Sequence, residues 1–292
     1  MKQIDIADLD CIYLSYQEPE KEEFWVKIKN MVPWAKRVDG VKGSDAAHKA
    51  CADLSDTDRF VLIDGDNMPD AEFFNQTLEL DEQSELAVFR WRARNHINGL
   101  MYGNGGLSCW TKEFVKNMRT HENTDGSAET QVEFCFDPQY WPMHDCYSTT
   151  YPNQTEKQAW IAGFREGVKM CLDRGAKPSR SDFKRAVHAR NMDNLSIWHN
   201  IGLDVDNGAY AMYGARMGTY MCMCTDWDYT DVQSFDVLEQ LWLKGQWKNI
   251  KLDQELEQLL DMKPVLFNAE QSAFFKRHYR SNWKNLGIMV RE

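Results

Sequence analysis

The chain has 292 residues, enough for one large domain or two modest ones with a substantial core. Its formal net charge of -11 disfavours nucleic acid and anionic lipid as average partners, so either would need a locally basic face. No apolar stretch is long enough to span a bilayer, and Met1–Asp10 has neither the basic start nor the apolar run of a secretory leader.

Eight cysteines are present without a CxxC array. Cys222 and Cys224, with one residue between them, are badly spaced for structural zinc. Reduced, mostly buried thiols in a cytoplasmic protein are therefore expected. The 11 tryptophans are read chiefly as core, with some left to stack on bases or sugars.

Along the first half, Cys11–Tyr16 is a short apolar run expected to be a buried strand. Glu20–Asn30 has helical spacing and Pro33 bounds it. Lys36–Val38 reads as a second strand ended by the turn pair Asp39-Gly40, and Ser44–Asp53 as a helix. Arg59–Ile63 is the clearest strand, and Asp64-Gly65-Asp66-Asn67 follows it at once. Leu86–Arg94 is another strand and Gly99–Gly106 a glycine-rich loop. Trp110–Met118 reads as a short helix, Thr120–Ser127 as a polar loop and Gln131–Phe136 as an alternating strand. This alternation of strands and helices predicts an α/β layer with a mainly parallel sheet over residues 1–152.

After Pro152 the pattern turns helical. Helices are expected over Lys157–Arg174, Arg180–Arg190, Tyr210–Met223, Ser234–Lys244, Gln254–Met262 and Glu270–Trp283. Residues 153–292 thus read as a helical accessory region. No repeat or flexible linker is apparent.

The end of the Arg59–Ile63 strand carries the chemistry. Side chains alternate along extended chain, so Asp64 and Asp66 can approach one point, and Gly65 between them admits a ligand. Paired carboxylates repel unless a proton or cation joins them, and Mg2+ or Mn2+ bridging to a substrate phosphate is the natural partner. A plain Asp-Gly turn is the competing reading.

Asp64-Gly65-Asp66 after an apolar strand resembles the DxD motif of GT-A glycosyltransferases, a Rossmann-type nucleotide-sugar fold. In that family the motif holds a metal, the donor diphosphate and often the ribose. CIYLSYQEPE is similar to the entry where base and ribose dock, which would give Tyr16 and Glu18 donor-binding roles. KRVDGVKGSDAAHK is similar to the stretch completing the nucleoside pocket, which would add Arg37, Asp39, Lys42 and Lys49. YGNGGL is similar to the loop lining the donor and acceptor sites, which would add Gly105 and Gly106. The run of motifs, with QAWIAGFREGVKMCLDRG (158–175), resembles glycosyltransferases encoded by large tailed bacteriophages. The resemblance implies a UDP-sugar-type donor, Mn2+ or Mg2+, and a hydroxyl acceptor. Hydroxymethylated pyrimidine in double-stranded DNA, taking glucose or arabinose, is one such acceptor.

Further candidates follow from this chemistry. A third metal ligand would come from His144 or Asp145, although His144 reads somewhat more readily as a structural histidine. A general base for the acceptor hydroxyl would come from Asp145 or Glu122, with Glu113 as another carboxylate. Arg90, Arg92 and Arg94 alternate along one strand and share a face, to bind anions or to pair with acidic neighbours. Arg174–Arg190 and Phe274–Lys284 mix basic with aromatic residues, as a nucleic-acid surface or as solvated helix faces. The alternatives are a transferase acting on a glycan or protein, with Tyr140–Tyr151 as a sugar platform, or a non-catalytic module on a transferase fold. No Walker loop or dinucleotide fingerprint is present.

Overall fold

Arg59–Asp64 forms the centre of the fold because it is apolar on both sides. Phe60 and Leu62 enter one core and Val61 and Ile63 the other, all at most 1% exposed. The computed structural model describes residues 2–102, 106–118, 138–245 and 251–289, with side chains to residue 279. The expected Thr120–Ser127 loop and Gln131–Phe136 strand lie outside the described residues.

The chain divides into two compact units. One comprises Met1–Asn95, Met101–Asp125 and Phe134–Tyr151; the other comprises His96–Leu100, Gly126–Glu133 and Pro152–Glu292. The described strands are β1 (Lys2–Asp5), β2 (Asp10–Ser15), β3 (Lys36–Asp39), β4 (Arg59–Asp64), β5 (Asn67–Pro69), β6 (Thr77–Leu80), β7 (Val88–Asn95), β8 (Met101–Tyr102), β9 (Leu107–Thr111) and β10 (Tyr140–Thr150). The first unit also holds helices α1 (Lys21–Met31), α2 (Ser44–Leu54) and α3 (Lys112–Asn117).

The first unit is a mixed α/β structure. Its main sheet has the order β3-β2-β4-β9-β7-β10-β5, with β8 on β7, while β1 and β6 form a separate pair. Strands β3, β2 and β4 are parallel, as are β7 and β10. β9 runs antiparallel between β4 and β7, and β5 is antiparallel to β10. The expectation of a mainly parallel sheet is thereby corrected to a mixed one. The source of the error is Leu107–Thr111. Trp110 was expected in a helix, but LSCWT is an entirely buried strand. The Thr111 hydroxyl then accepts from the Phe114 N–H at 3.1 Å, so the helix starts only at Lys112.

The sheet also curls. Only Gly65 and Asp66 separate β4 from β5, although three strands, β9, β7 and β10, intervene between them in the sheet order. The Tyr151 N–H donates to the Asp66 carbonyl at 2.8 Å, closing β10 onto the acidic turn. Two cores flank the sheet. One gathers Tyr13, Phe24, Ile28, Phe73, Phe89 and Trp91; the other gathers Ile12, Cys51, Phe60, Leu62, Trp110 and Phe114. Each large apolar side chain buried this way contributes roughly 1.5–3 kcal/mol.

The second unit is helical: α4 (Glu156–Lys169), α5 (Phe183–Ala186), α6 (Ala189–Asn200), α7 (Gly208–Cys224), α8 (Phe235–Leu243), α9 (Leu252–Leu260) and α10 (Ala269–Met289). Helices α4 and α7 pack backbone to backbone, and a Cβ on Gly163 would lie 1.9 Å from the Ala211 carbonyl oxygen. The expected Arg180–Arg190 helix is corrected to the single turn Phe183–Ala186. A new helix follows it, begun by the His188 ring accepting from the Arg190 N–H. No described helix is long and apolar enough to cross a membrane. The seven described cysteines are free, five of them buried.

Candidate active site

The chain leaves β2 through α1 to β3 on one side, and α2 then returns it to β4 on the other side of β2. The carboxyl ends of β2 and β4 therefore flank a topological switch point, where open α/β sheets bind ligands. Parallel register sets Leu14 beside Asp64. The residues that follow each strand, Tyr16–Glu18 and Gly65–Asp66, thus meet at this end of the sheet.

Close approach defines the cluster. A Cβ on Gly65 would fall 2.4–2.7 Å from the Glu18 carboxyl atoms. The absence of a side chain at Gly65 is what lets Glu18 lie against the acidic turn. Gly106 does the same for Asp64. The Asp64 N–H donates to the Gly106 carbonyl at 2.8 Å, and a Cβ on Gly106 would stand 2.8 Å from Asp64 Oδ2. With φ at +72°, Gly106 also holds a conformation that side-chain-bearing residues rarely adopt. Glu18 is fixed in turn by the Tyr16 N–H, which donates to its carboxylate at 2.7 Å.

Asp64 retains some solvent contact at the strand end, yet protein atoms crowd its carboxyl. That desolvation, followed by the charges of Asp66 and Glu18, pushes its pKa up to about 8. No lysine or arginine pairs with Asp64 among the described residues. The described residues contain no cage of three His, Cys, Asp or Glu side chains. A hard divalent ion that shares a substrate phosphate needs only one or two carboxylates, so Asp64 and Asp66, with Glu18 beside them, fit such an ion.

Sequence reasoning missed Tyr13. Its ring is buried in β2, and its hydroxyl donates to the Gly65 carbonyl at 2.8 Å, pinning the turn between the two aspartates. The available signal was chemical: a tyrosine inside an apolar strand must find a partner for its hydroxyl.

The other expected donor-binding residues are placed as follows. Asp39 accepts from the Ser15 hydroxyl and from Lys21, both at 2.7 Å. Arg37 makes a fork to Glu22 at 2.8 and 2.7 Å, and its Nε donates to Ser15. Both sit at the end of β3, one strand beyond β2. Lys42 is exposed, and Lys49 pairs with Asp45 at 2.7 Å along α2. Gly105 and Glu122 lie outside the described residues. Glu113 is exposed in the first turn of α3.

His144 and Asp145 are not brought to Asp64. Both are exposed on β10, where its register against β7 shifts between Pro142 and Cys146. The Tyr151 N–H reaches the acidic turn, whereas Asp145 adjoins Cys146, the β7 partner of Arg92. The His144 ring instead meets Arg92 at 3.3 Å.

No protein-family model, no curated protein and no solved structure matches this chain.

Proposed function

We propose that the chain is a metal-dependent glycosyltransferase of GT-A type, moving a sugar from a nucleotide-sugar donor to a hydroxyl acceptor. The observation that carries this reading is the proximity of Asp66 and Glu18 to Asp64 at the switch point beside β2, with no basic partner on Asp64 among the described residues. Asp64 and Asp66 would hold Mn2+ or Mg2+. When bound, the ion supplies Lewis-acid stabilisation of the charge that develops on the departing diphosphate.

The chain's own residues supply the rest. Tyr13 and Tyr151 hold the backbone of the acidic turn from both sides. Gly65 and Gly106 leave room for close contact. The exposed Tyr16 side chain, beside the ends of β2 and β3, would cover a base or ribose. Asp39 and Arg37 keep that rim rigid through their network with Ser15, Lys21 and Glu22.

Among acceptors, hydroxymethylated DNA draws little support from the Arg174–Arg190 stretch. Lys177 and Arg180 donate to the carbonyls of Thr225 and Cys224, while Lys184 and Arg185 pair with Asp261 and Asp182. A smaller or glycan acceptor needs no such surface.

The test is calorimetric titration of UDP in the presence and absence of Mn2+, followed by a panel of nucleotide sugars with glycan and DNA acceptors. Mn2+-dependent nucleotide binding that Asp64→Asn removes supports the reading. Equal binding by the wild type and this variant refutes it.

A further inference from the structure

The arginines of β7 are not part of the carboxylate cluster, although they share its face of the sheet. Leu62, Ser108, Arg90 and Pro142 stand opposite one another on β4, β9, β7 and β10. Two residues further along lie Asp64, Gly106 and Arg92, and then Arg94 beyond them. Side-chain alternation therefore sets Arg90, Arg92 and Arg94 on the Leu62–Asp64 face, while Phe89, Trp91 and Ala93 are buried on the other. Two strand spacings separate β7 from β4, about 10 Å.

All three guanidiniums lean away from β4. Arg90 lies over the Tyr140 ring at 4.5 Å, Arg92 meets His144 at 3.3 Å, and Arg94 reaches the Thr149 hydroxyl at 3.5 Å. Each of these partners belongs to β10. Arg94 is half-buried, its Nε is sealed from solvent without a hydrogen bond, and no carboxylate pairs with it among the described residues. Three like charges at alternate positions stand roughly 7 Å apart and repel one another. A planar anion offering two oxygens would give the terminal nitrogens of Arg94, held among the described residues only by the 3.5 Å contact to Thr149, a stronger partner.

We propose that Arg92 and Arg94, flanked by Arg90 and His144, form an anion subsite over β7 and β10 that binds a phosphate or carboxylate of the acceptor. The assignment to the acceptor rests on the donor reading above. Across β9 the arginines stand two strands from Asp64, and their side-chain partners all lie on β10. His144 thereby gains a role as a neighbour of the arginines instead of a metal ligand.

The test uses inorganic phosphate and, in parallel, acetate, titrated into metal-free full-length protein at low ionic strength, followed by a separate titration of UDP with Mn2+. Arg94→Gln is expected to weaken phosphate or acetate binding at least tenfold and to leave Mn2+–UDP binding within twofold. Arg94→Lys, which keeps the charge without the fork, is expected to fall between. Whichever probe binds more tightly identifies the oxyanion class. Wild-type protein that binds neither probe, or Arg94→Gln that binds both as the wild type does, overturns the subsite. A parallel loss of UDP binding in a folded Arg94→Gln variant overturns the acceptor assignment. Arg94-dependent phosphate binding with no Mn2+–UDP binding in the wild type leaves the anion subsite standing and removes the donor reading alone.

Discussion

Asp39 and Asp64 end the two strands that flank β2, and their surroundings have opposite sign. Asp39 takes hydrogen bonds from Lys21 and Ser15, with Arg37 3.4 Å away. The Lys21 bond leads in holding its carboxyl below the usual range, against a smaller desolvation penalty. Asp64 has burial, Asp66 and Glu18 around it, and its pKa rises to about 8. One aspartate has its counter-charge built into the fold. The other has no basic partner among the described residues, and near neutral pH a proton offsets its burial. Carboxylates with raised pKa values cluster at functional sites, whereas paired ones are ordinary structural struts.

The widest separation between the two should appear in ligand binding. Asp64→Asn is expected to weaken Mn2+-dependent nucleotide binding by a factor of 100 or more, about 3 kcal/mol. Asp39→Asn should change it by less than tenfold. Calorimetry on both variants measures this, and equal losses would erase the distinction between a ligand and a strut.

Sterics give the next largest effect. Gly106→Ala forces a side chain into a positive-φ position and sets its Cβ 2.7 Å from Asp64 Cβ, where backbone-fixed atoms cannot swing aside. Strain and overpacking together predict a loss of about 2–3 kcal/mol in denaturant unfolding. Gly65→Ala meets only the end of the flexible Glu18 side chain and should cost less than half as much. A mild Gly106→Ala phenotype would mean that Asp64 is free to move.

The two aspartates should also oppose each other in pH dependence, measured in metal-free protein. Asp64 has a folded pKa above its unfolded value, so the native state holds the extra proton. Its contribution to stability is complete below about pH 4 and is lost as pH rises through about 8. Asp64→Asn should therefore stabilise the metal-free fold at pH 8 by about 1–2 kcal/mol and flatten that slope. Asp39 has a depressed folded pKa. Its contribution is present above its unfolded value near 4 and is lost as pH falls through the lower folded value. Because its side chain is 40% exposed, Asp39→Asn should cost less than about 1 kcal/mol at neutral pH. Urea melts across pH 4–9 separate the two slopes.

Legibility in the sequence followed the same division. β4 and the acidic turn were readable because an apolar run buried on both faces and an abrupt Asp-Gly-Asp leave few alternatives. β9 was not, because Leu107–Thr111 runs straight into a helix and its short apolar run has no period of its own. β10 was also unread. Its exposed positions at Pro142, His144 and Asp145 and its shifted register hide the alternation that marks a strand. Without β10 the curl of the sheet could not be anticipated, nor could the placement of His144 beside Arg92. Arg37 and Asp39 show the converse. Their proximity to the strand ends was legible, but their bonds to Glu22, Lys21 and Ser15 depend on packing between α1, β2 and β3.

The smallest effect probes how the acidic turn is held. Tyr13→Phe removes one hydroxyl, the donor to the Gly65 carbonyl, and leaves the ring stacked on Trp25 with centroids 6.0 Å apart. A buried neutral hydrogen bond contributes about 1 kcal/mol net, so unfolding stability should fall by about that amount. If the hydroxyl only satisfies a carbonyl, nothing else changes. If it fixes the spacing of Asp64 and Asp66, Mn2+-dependent nucleotide binding should weaken threefold to tenfold, while Asp39→Asn at similar stability leaves that binding nearly intact. Tyr13→Phe and Asp39→Asn measured side by side thus separate a change in turn geometry from a general loss of stability, because both loosen the same end of the sheet but only one touches the acidic turn.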